Sequence, residues 1–410
     1  MCAALLMGLA ACTTYDNFIN ALRGEDETVI PETIKIGIFE PVTGEYSEKA
    51  AEEIKGIELA HQYFPTVLDK NIELIYADNQ SDPIYAAEAA QSLIDAGCSV
   101  VIGSYGNILT LAGCDVFEPM HTVCIGATCT NPLITGTTEY YFRVCVIDAF
   151  QGNSAAKFVT EYLPGVLNVD DPETEEIEGG GPVSCVILKK ADDDYASSMI
   201  ERFQSKLSEL YGSAGIASVI EYPEGEEEML SYLSRISDIG GQAVFFPSSS
   251  AEGERVMYQA HEYGFDFKWI GNSEWSDLIA AADSAKRADY SHLEGASFVA
   301  EFDSGADSKT PMTEIFVSAA NTVYGEENPS ENMALGFDAY LLALEGIRTA
   351  ETYNSPYSVR LALLKVFEME GATGKITLKN GTGDPIKDIV IETIKDGQVV
   401  PEFTAAPVWN

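Results

Sequence analysis

Basic side chains are scarce in this chain. It sets 24 Lys and Arg against 65 Asp and Glu, a formal net charge of -41 over 410 residues. Nucleic-acid binding needs clustered Lys and Arg to displace phosphate counterions, so that class of function is excluded. Histidine is scarcer still. The four, His61, His121, His261 and His292, stand beside no candidate nucleophile and in no metal-ligand spacing. That leaves no constellation for nucleophilic, acid-base or metal-assisted catalysis, and no cofactor or metal is expected. His61 falls on an apolar helical stripe and reads as a packing residue. The CxxC spacing of a zinc site is absent among Cys98, Cys114, Cys124, Cys129, Cys145 and Cys185. A disulfide among the five between Cys98 and Cys145 stays open. The run Gly179-Gly180-Gly181 lacks the Lys-Ser/Thr that a phosphate loop requires.

What is present is a sizeable core and a repeated strand-loop-helix pattern. Hydrophobic residues make up 46% of the chain, and its length suits two or three domains. The stretch from Val100 to Pro132 organises it. Val100-Val101-Ile102 breaks at Gly103 into Ser104-Tyr105-Gly106-Asn107, and Val123-Cys124-Ile125 breaks at Gly126 into Ala127-Thr128-Cys129-Thr130-Asn131-Pro132. Short apolar runs ending in glycine and small polar residues are the pattern of buried parallel strands feeding loops. In open α/β sheets such loops border the crevice where ligands bind. These loops offer hydroxyls, an amide and backbone groups, with no histidine, lysine or carboxylate pair. That is equipment for holding a small molecule, not for transforming it.

Around this stretch, Ile34 to Phe39 and Ile72 to Ala77 read as strands. Ser47 is placed to cap the helix between them, and Asp82-Pro83 to start the next, which stops at Gly97. After an acidic loop from about Val169 to Pro182 the alternation restarts. Strands are expected at Val183 to Leu188, Ile216 to Tyr222, Ala243 to Phe246 and Lys268 to Ile270. The chain thus holds two α/β units in tandem, each a doubly wound, mostly parallel sheet flanked by helices. Three late helices, near Met312 to Tyr324, Met333 to Arg348 and Pro356 to Phe367, are expected to return to the first lobe. Gly374 to Leu378, a turn at Asn380-Gly381-Thr382-Gly383-Asp384-Pro385, and Ile386 to Ile394 read as a hairpin or edge pair.

At the amino end, Leu9-Ala10-Ala11-Cys12 closes a short apolar segment and resembles the lipobox of bacterial lipoproteins. The expected reading is a signal segment at 1–12 with Cys12 lipidated, then a disordered tether at 13–33. No Lys or Arg precedes the apolar run, which points to a true start upstream of Met1.

Many segments together resemble the periplasmic binding protein type I family, in its branched-chain amino acid type of substrate-binding lipoprotein for ABC transporters. They include Ile34-Lys35-Ile36-Gly37-Ile38 with Thr43-Gly44, Gly56-Ile57-Glu58-Leu59-Ala60, Asp82-Pro83, Val101-Ile102-Gly103, Thr128 to Pro132, Phe142-Arg143, Asp194-Tyr195, Gly271-Asn272-Ser273-Glu274-Trp275 and Phe337-Asp338-Ala339-Tyr340. The resemblance implies two lobes joined by a multi-strand hinge, with 34–148 plus 301–371 as the first and 149–300 plus 372–410 as the second. It implies a small ligand in the cleft between them, an amino acid or related amide or carboxylate, delivered by a monomer to an ABC transporter permease. A ligand-binding sensor of the same fold is the alternative. The first-lobe contacts would fall on Tyr105, Gly106 and Asn107, and on Thr128, Cys129 and Thr130. Those of the second lobe would fall on Tyr195, Ser248, Ser249, Ser273, Glu274 and Trp275. Two positions depart from the amino-acid binders. Asn107 stands where a serine commonly grips the carboxylate, and Ser273 where an acid takes the ammonium, with Glu274 one residue on.

Overall fold

The computed structural model describes residues 33–167, 183–191, 193–212, 216–378 and 381–406. The signal segment with Cys12, the Gly179-Gly180-Gly181 loop and Asn380 lie outside them.

Two sheets build two lobes. The first has the order β2-β3-β1-β4-β5-β6, from Thr33–Glu40 (β1), Thr66–Val67 (β2), Lys70–Asp78 (β3), Val100–Gly103 (β4), Cys124–Gly126 (β5) and Tyr141–Arg143 (β6). Every pair in it is parallel except the short β2–β3 edge. The second has the order β15-β14-β11-β10-β9-β7-β8, from Cys185–Lys190 (β7), Ile216–Tyr222 (β8), Ala243–Phe245 (β9), Lys268–Gly271 (β10), Ser297–Ala300 (β11), Ile389–Lys395 (β14) and Gln398–Ala405 (β15). Its first five strands in chain order pair in parallel, and β14 and β15 add antiparallel edges. This is the mostly parallel, helix-flanked α/β architecture that the strand-helix alternation predicts.

Strands buried on both faces need apolar side chains throughout, and Val100 to Ile102 of β4 are completely buried. Helices cover both faces. In the first lobe, Ser47–Tyr63 (α1) packs on Glu331–Ala350 (α7) where both are thinned by glycine. A Cβ on Gly56 would lie 1.9 Å from Met333 O, and one on Gly336 would lie 2.2 Å from Glu53 O. The second lobe repeats the device between Asp148–Lys157 (α4) and Asp194–Tyr211 (α5), where a Cβ on Gly152 would lie 2.2 Å from Met199 O. Pro83–Asp95 (α2) starts on the Asp82 side chain, which accepts from Ile84 N, with proline in its first turn as expected. Ser47 does not cap. It is the first helical residue, and its hydroxyl donates to Gly44 O at 2.8 Å.

The carboxyl-terminal strands pair differently from the expected hairpin. Gly374–Ile376 (β13) pairs with Met369–Gly371 (β12), and only an isolated bridge joins Thr377 to Ile386. The long hairpin is β14–β15, closed by Asp396 and Gly397, both at positive φ. An Asp-Gly pair flanked by alternating strands is a strong two-residue hairpin signal, because both central residues tolerate that conformation.

Between sheets the chain crosses after β6, after β11, and between β13 and β14. The late helices return to the first lobe, where Phe316, Phe337, Tyr340 and Val359 share one core with Ile34, Ile102 and Ile125. One buried carboxylate binds the three crossings. Glu301 accepts from Val146 N at 3.0 and 3.1 Å and pairs with Lys387 Nζ at 3.1 Å.

Candidate functional site

Each sheet changes winding direction at one point, and a crevice opens there beyond the strand ends. In the first lobe the point lies between β1 and β4, where Glu40 closes one strand and Gly103 the other. Gly103 has φ +120°, and a Cβ would lie 2.1 Å from Phe39 O, so the strands part here only with glycine. The chain then turns through Tyr105 and Gly106 into Asn107–Phe117 (α3). Tyr105 N donates to Glu40 Oε2 at 2.7 Å, and Asn131 N donates to Asn107 Oδ1 at 3.0 Å, which joins the two loops.

Arg143, wholly buried, holds the second loop from below. Its guanidinium donates to Cys129 O at 2.5 Å, to Asn131 O at 3.0 Å and to Thr135 Oγ1 at 2.7 Å, and pairs with Asp384 at 2.9 Å. Thr128 is turned toward Glu53, to which its hydroxyl donates. Glu53 and Glu40 form a fully buried carboxyl pair. Burial pushes the Glu53 carboxyl up to about 8 and Glu40 well above the usual range, with the mutual charge acting on Glu40 as well. Asp148, at the start of α4, is raised by burial to about 6, and a hydrogen bond from Thr130 opposes that rise.

Between the lobes lies a cavity of about 390 Å³. Tyr105, Gly106, Asn107, Thr128 and Thr130 line it from the first lobe, and Ser273 and Glu274 from the second. The structure therefore brings seven of the sequence-expected residues onto one cavity wall. Four others lie elsewhere. Cys129 is fully buried, and its thiol points to the Tyr141 hydroxyl. Trp275 is fully buried because Gly271 and Gly253 leave room for its ring, and its indole N–H donates to Ser248 Oγ at 3.2 Å. Ser248 Oγ accepts that bond and donates to Ser249 O at 3.3 Å, and Ser249 caps Ser250–Glu262 (α6) by accepting from Glu252 N. Tyr195 stands in the first turn of α5, and its side chain is outside the described residues.

Sequence reasoning missed other lining residues, among them Lys49, Cys145, Ser250, Asp277, Glu301, Glu331 and Leu335. Lys49 and Asp277 meet across the mouth of the cleft at 2.5 Å, 228 positions apart in the chain. Nothing local in the sequence pairs them. The six described cysteines are all free, and no group of three or more metal-ligating side chains occurs among the described residues. No helix among those residues is long and apolar enough to cross a membrane.

The family described as periplasmic binding protein matches residues 33–398. A leucine-, isoleucine-, valine-, threonine- and alanine-binding protein of Pseudomonas aeruginosa is 25% identical over 63% of this chain and 66% of its own length. A Leu/Ile/Val-binding protein homolog of Brucella melitensis is 22% identical over 86% of this chain and 88% of its own. Among solved structures, a leucine binding protein from Thermotoga maritima superposes with a TM-score of 0.72 at 26% identity, covering 91% of this chain and 99% of that one. A branched-chain amino acid transporter substrate binding protein from Streptococcus pneumoniae, in complex with isoleucine, shares the fold with a TM-score of 0.70 at 21% identity, over 92% and 99%.

Proposed function

The chain belongs to the periplasmic binding protein family, and from that premise we propose that it captures a small polar solute of the amino-acid type and delivers it to an ABC transporter permease. The observation that carries this reading is the cavity of about 390 Å³, walled by loops from both lobes. A solute touching both walls favours closure only through contacts it makes with both, which is how such a protein reports occupancy to its permease. In this reading the lobes are 34–148 plus 301–371 and 149–300 plus 372–410, acting as a monomer. Tyr105, Gly106, Asn107, Thr128 and Thr130 meet the solute from one side, and Ser273 and Glu274 from the other. In this reading the solute is held without being transformed and leaves as it came. A thermal-shift screen over amino acids, amides and amines, followed by mass analysis of the bound compound, tests this. A solute at 100 times its dissociation constant stabilises the fold by about 2.7 kcal/mol. Recovery of a converted product would overturn the reading.

The same proposal has the protein on the outer side of the membrane, held by a lipid on Cys12. Expressed from an upstream start, the parent should fractionate with membranes and Cys12→Ala should not; equal partitioning of the two would remove the anchor.

A further inference from the structure

We propose that Cys129 and Cys145 form an oxidisable pair at the cavity wall, which hydrogen peroxide joins into a disulfide. The pair is set by the fold and does not depend on which solute the cleft takes. β5 and β6 run in parallel with Gly126 opposite Arg143, and Val144 N donates to Gly126 O at 3.0 Å. The loop that leaves β5 therefore lies beside the segment that leaves β6, and the two cysteines, 16 positions apart, meet there. The Cys145 thiol donates to Cys129 O at 3.3 Å, and it is also within hydrogen-bond reach of the Cys129 sulfur. Gly126 makes the room, since a Cβ there would lie 2.1 Å from Cys129 Sγ. Cys145 lines the cavity, and so do Thr128 and Thr130 on either side of Cys129. Both cysteines are buried, so the oxidant that reaches them has to be small.

The surroundings give the two sulfurs different parts. The hydrogen bond from Cys145 and the charge of Arg143 outweigh burial and bring the Cys129 thiol down from the ordinary 9.0 to about 7. Burial pushes Cys145 up, as it pushes Cys98 up to about 11 and Cys185 up to about 12. The thiolate is the nucleophile, so Cys129 attacks first. An S–O bond forms at Cys129, the peroxide O–O bond breaks, and hydroxide leaves to become water with the proton that Cys129 gave up on ionising. The Cys145 sulfur then attacks Cys129 Sγ. The S–S bond forms, the S–O bond breaks, and the second hydroxide leaves as water with the Cys145 proton. The two sulfurs together lose two electrons and the peroxide takes both. The new bond ties the loop that carries Thr128 and Thr130 to the first crossing between the lobes, where Glu301 already holds Val146 N. Oxidation thus acts on the wall that meets the solute. Outside the cytoplasm, where the proposed function has the protein work, such a bond forms and persists.

The test treats the reduced full chain with hydrogen peroxide, alkylates the remaining thiols in denaturant and maps the peptides by mass spectrometry without reduction. The parent should lose two alkylatable thiols and show Cys129 linked to Cys145, and dithiothreitol should restore both. In Cys145→Ser the second sulfur is gone, so dimedone should trap a sulfenic acid on Cys129; in Cys129→Ser neither a link nor a dimedone adduct on Cys145 should form. Thermal melts show whether the two variants are folded, and the map of the parent needs neither of them. A parent that keeps both thiols under conditions that oxidise free cysteine overturns the proposal. A link through any other cysteine overturns it as well, and so does a dimedone adduct on Cys145 in folded Cys129→Ser.

Discussion

Glu53 shows how much of this site is set by residues that never meet solvent. It sits on α1 beneath both first-lobe loops, takes the Thr128 hydroxyl on one side and raises the Glu40 carboxyl by its charge on the other. Its folded-state carboxyl is raised from the ordinary 4.5 to about 8 by burial. A carboxyl raised on folding contributes stability that is fully present below the unfolded value and is lost as pH rises through the folded one. The parent should therefore lose stability between pH 4.5 and about 8 from this residue. Glu53→Gln keeps the shape without the ionisation, so it should be more stable than the parent at pH 8.5, on the order of 2 kcal/mol, with the gap closing toward pH 5. Denaturant melts of both proteins across that range check it; a constant difference at all pH values would mean that the pair does not hold a proton. None of this was legible in the sequence, where Glu40 and Glu53 read as members of an acidic surplus. Trp275 was misplaced for a related reason. An aromatic just past a strand end is what the sequence shows, and the room left by Gly271 and by Gly253, on another helix, turns it inward.

At the level of elements, the helix pair α1–α7 carries the first lobe's outer layer, and its spacing is dictated by glycine. Because a Cβ on Gly56 would lie only 1.9 Å from Met333 O, Gly56→Ala has to push the helices apart. Forced overpacking of this kind costs about 1 to 3 kcal/mol, and the upper end applies because the obstacle is backbone. Urea denaturation should show that loss, while an unchanged midpoint would mean the helices are not in close contact. Elements with strong periodicity were readable in advance. The buried strands β1 and β4, the Asp82-Pro83 helix start and the parallel order of both sheets follow from apolar runs and punctuating residues. The terminal hairpin was misread because the conspicuous glycine-rich turn near Gly381 drew the pairing, while Asp396-Gly397 supplied the tighter turn. Asp338 could be placed only by structure. Within its helical motif it accepts from Ala372 N, Thr373 N and the Thr373 hydroxyl, so it clamps a distant turn rather than touching the cavity.

Across the described residues, the two large sheets, the crossings between them and the interlobe cavity form a single device in which Glu301 and Lys387 hold the crossings together while the loops face each other. The lobe architecture was legible because tandem α/β alternation leaves few other arrangements. The cavity's composition was only half legible, since Lys49, Asp277, Glu301 and Glu331 come from four separate segments that sequence spacing does not bring together. The central claim is that one small solute is bound between the lobes. Calorimetry on the parent and on Ser273→Trp, which fills the cavity from the second-lobe wall, tests that claim most directly with the compound found by screening. The expected result is one solute per parent chain and a loss of at least about 100-fold in affinity for the variant, roughly 2.7 kcal/mol, with an unchanged melting temperature in the absence of solute. Equal affinity of the parent and the folded variant would contradict it.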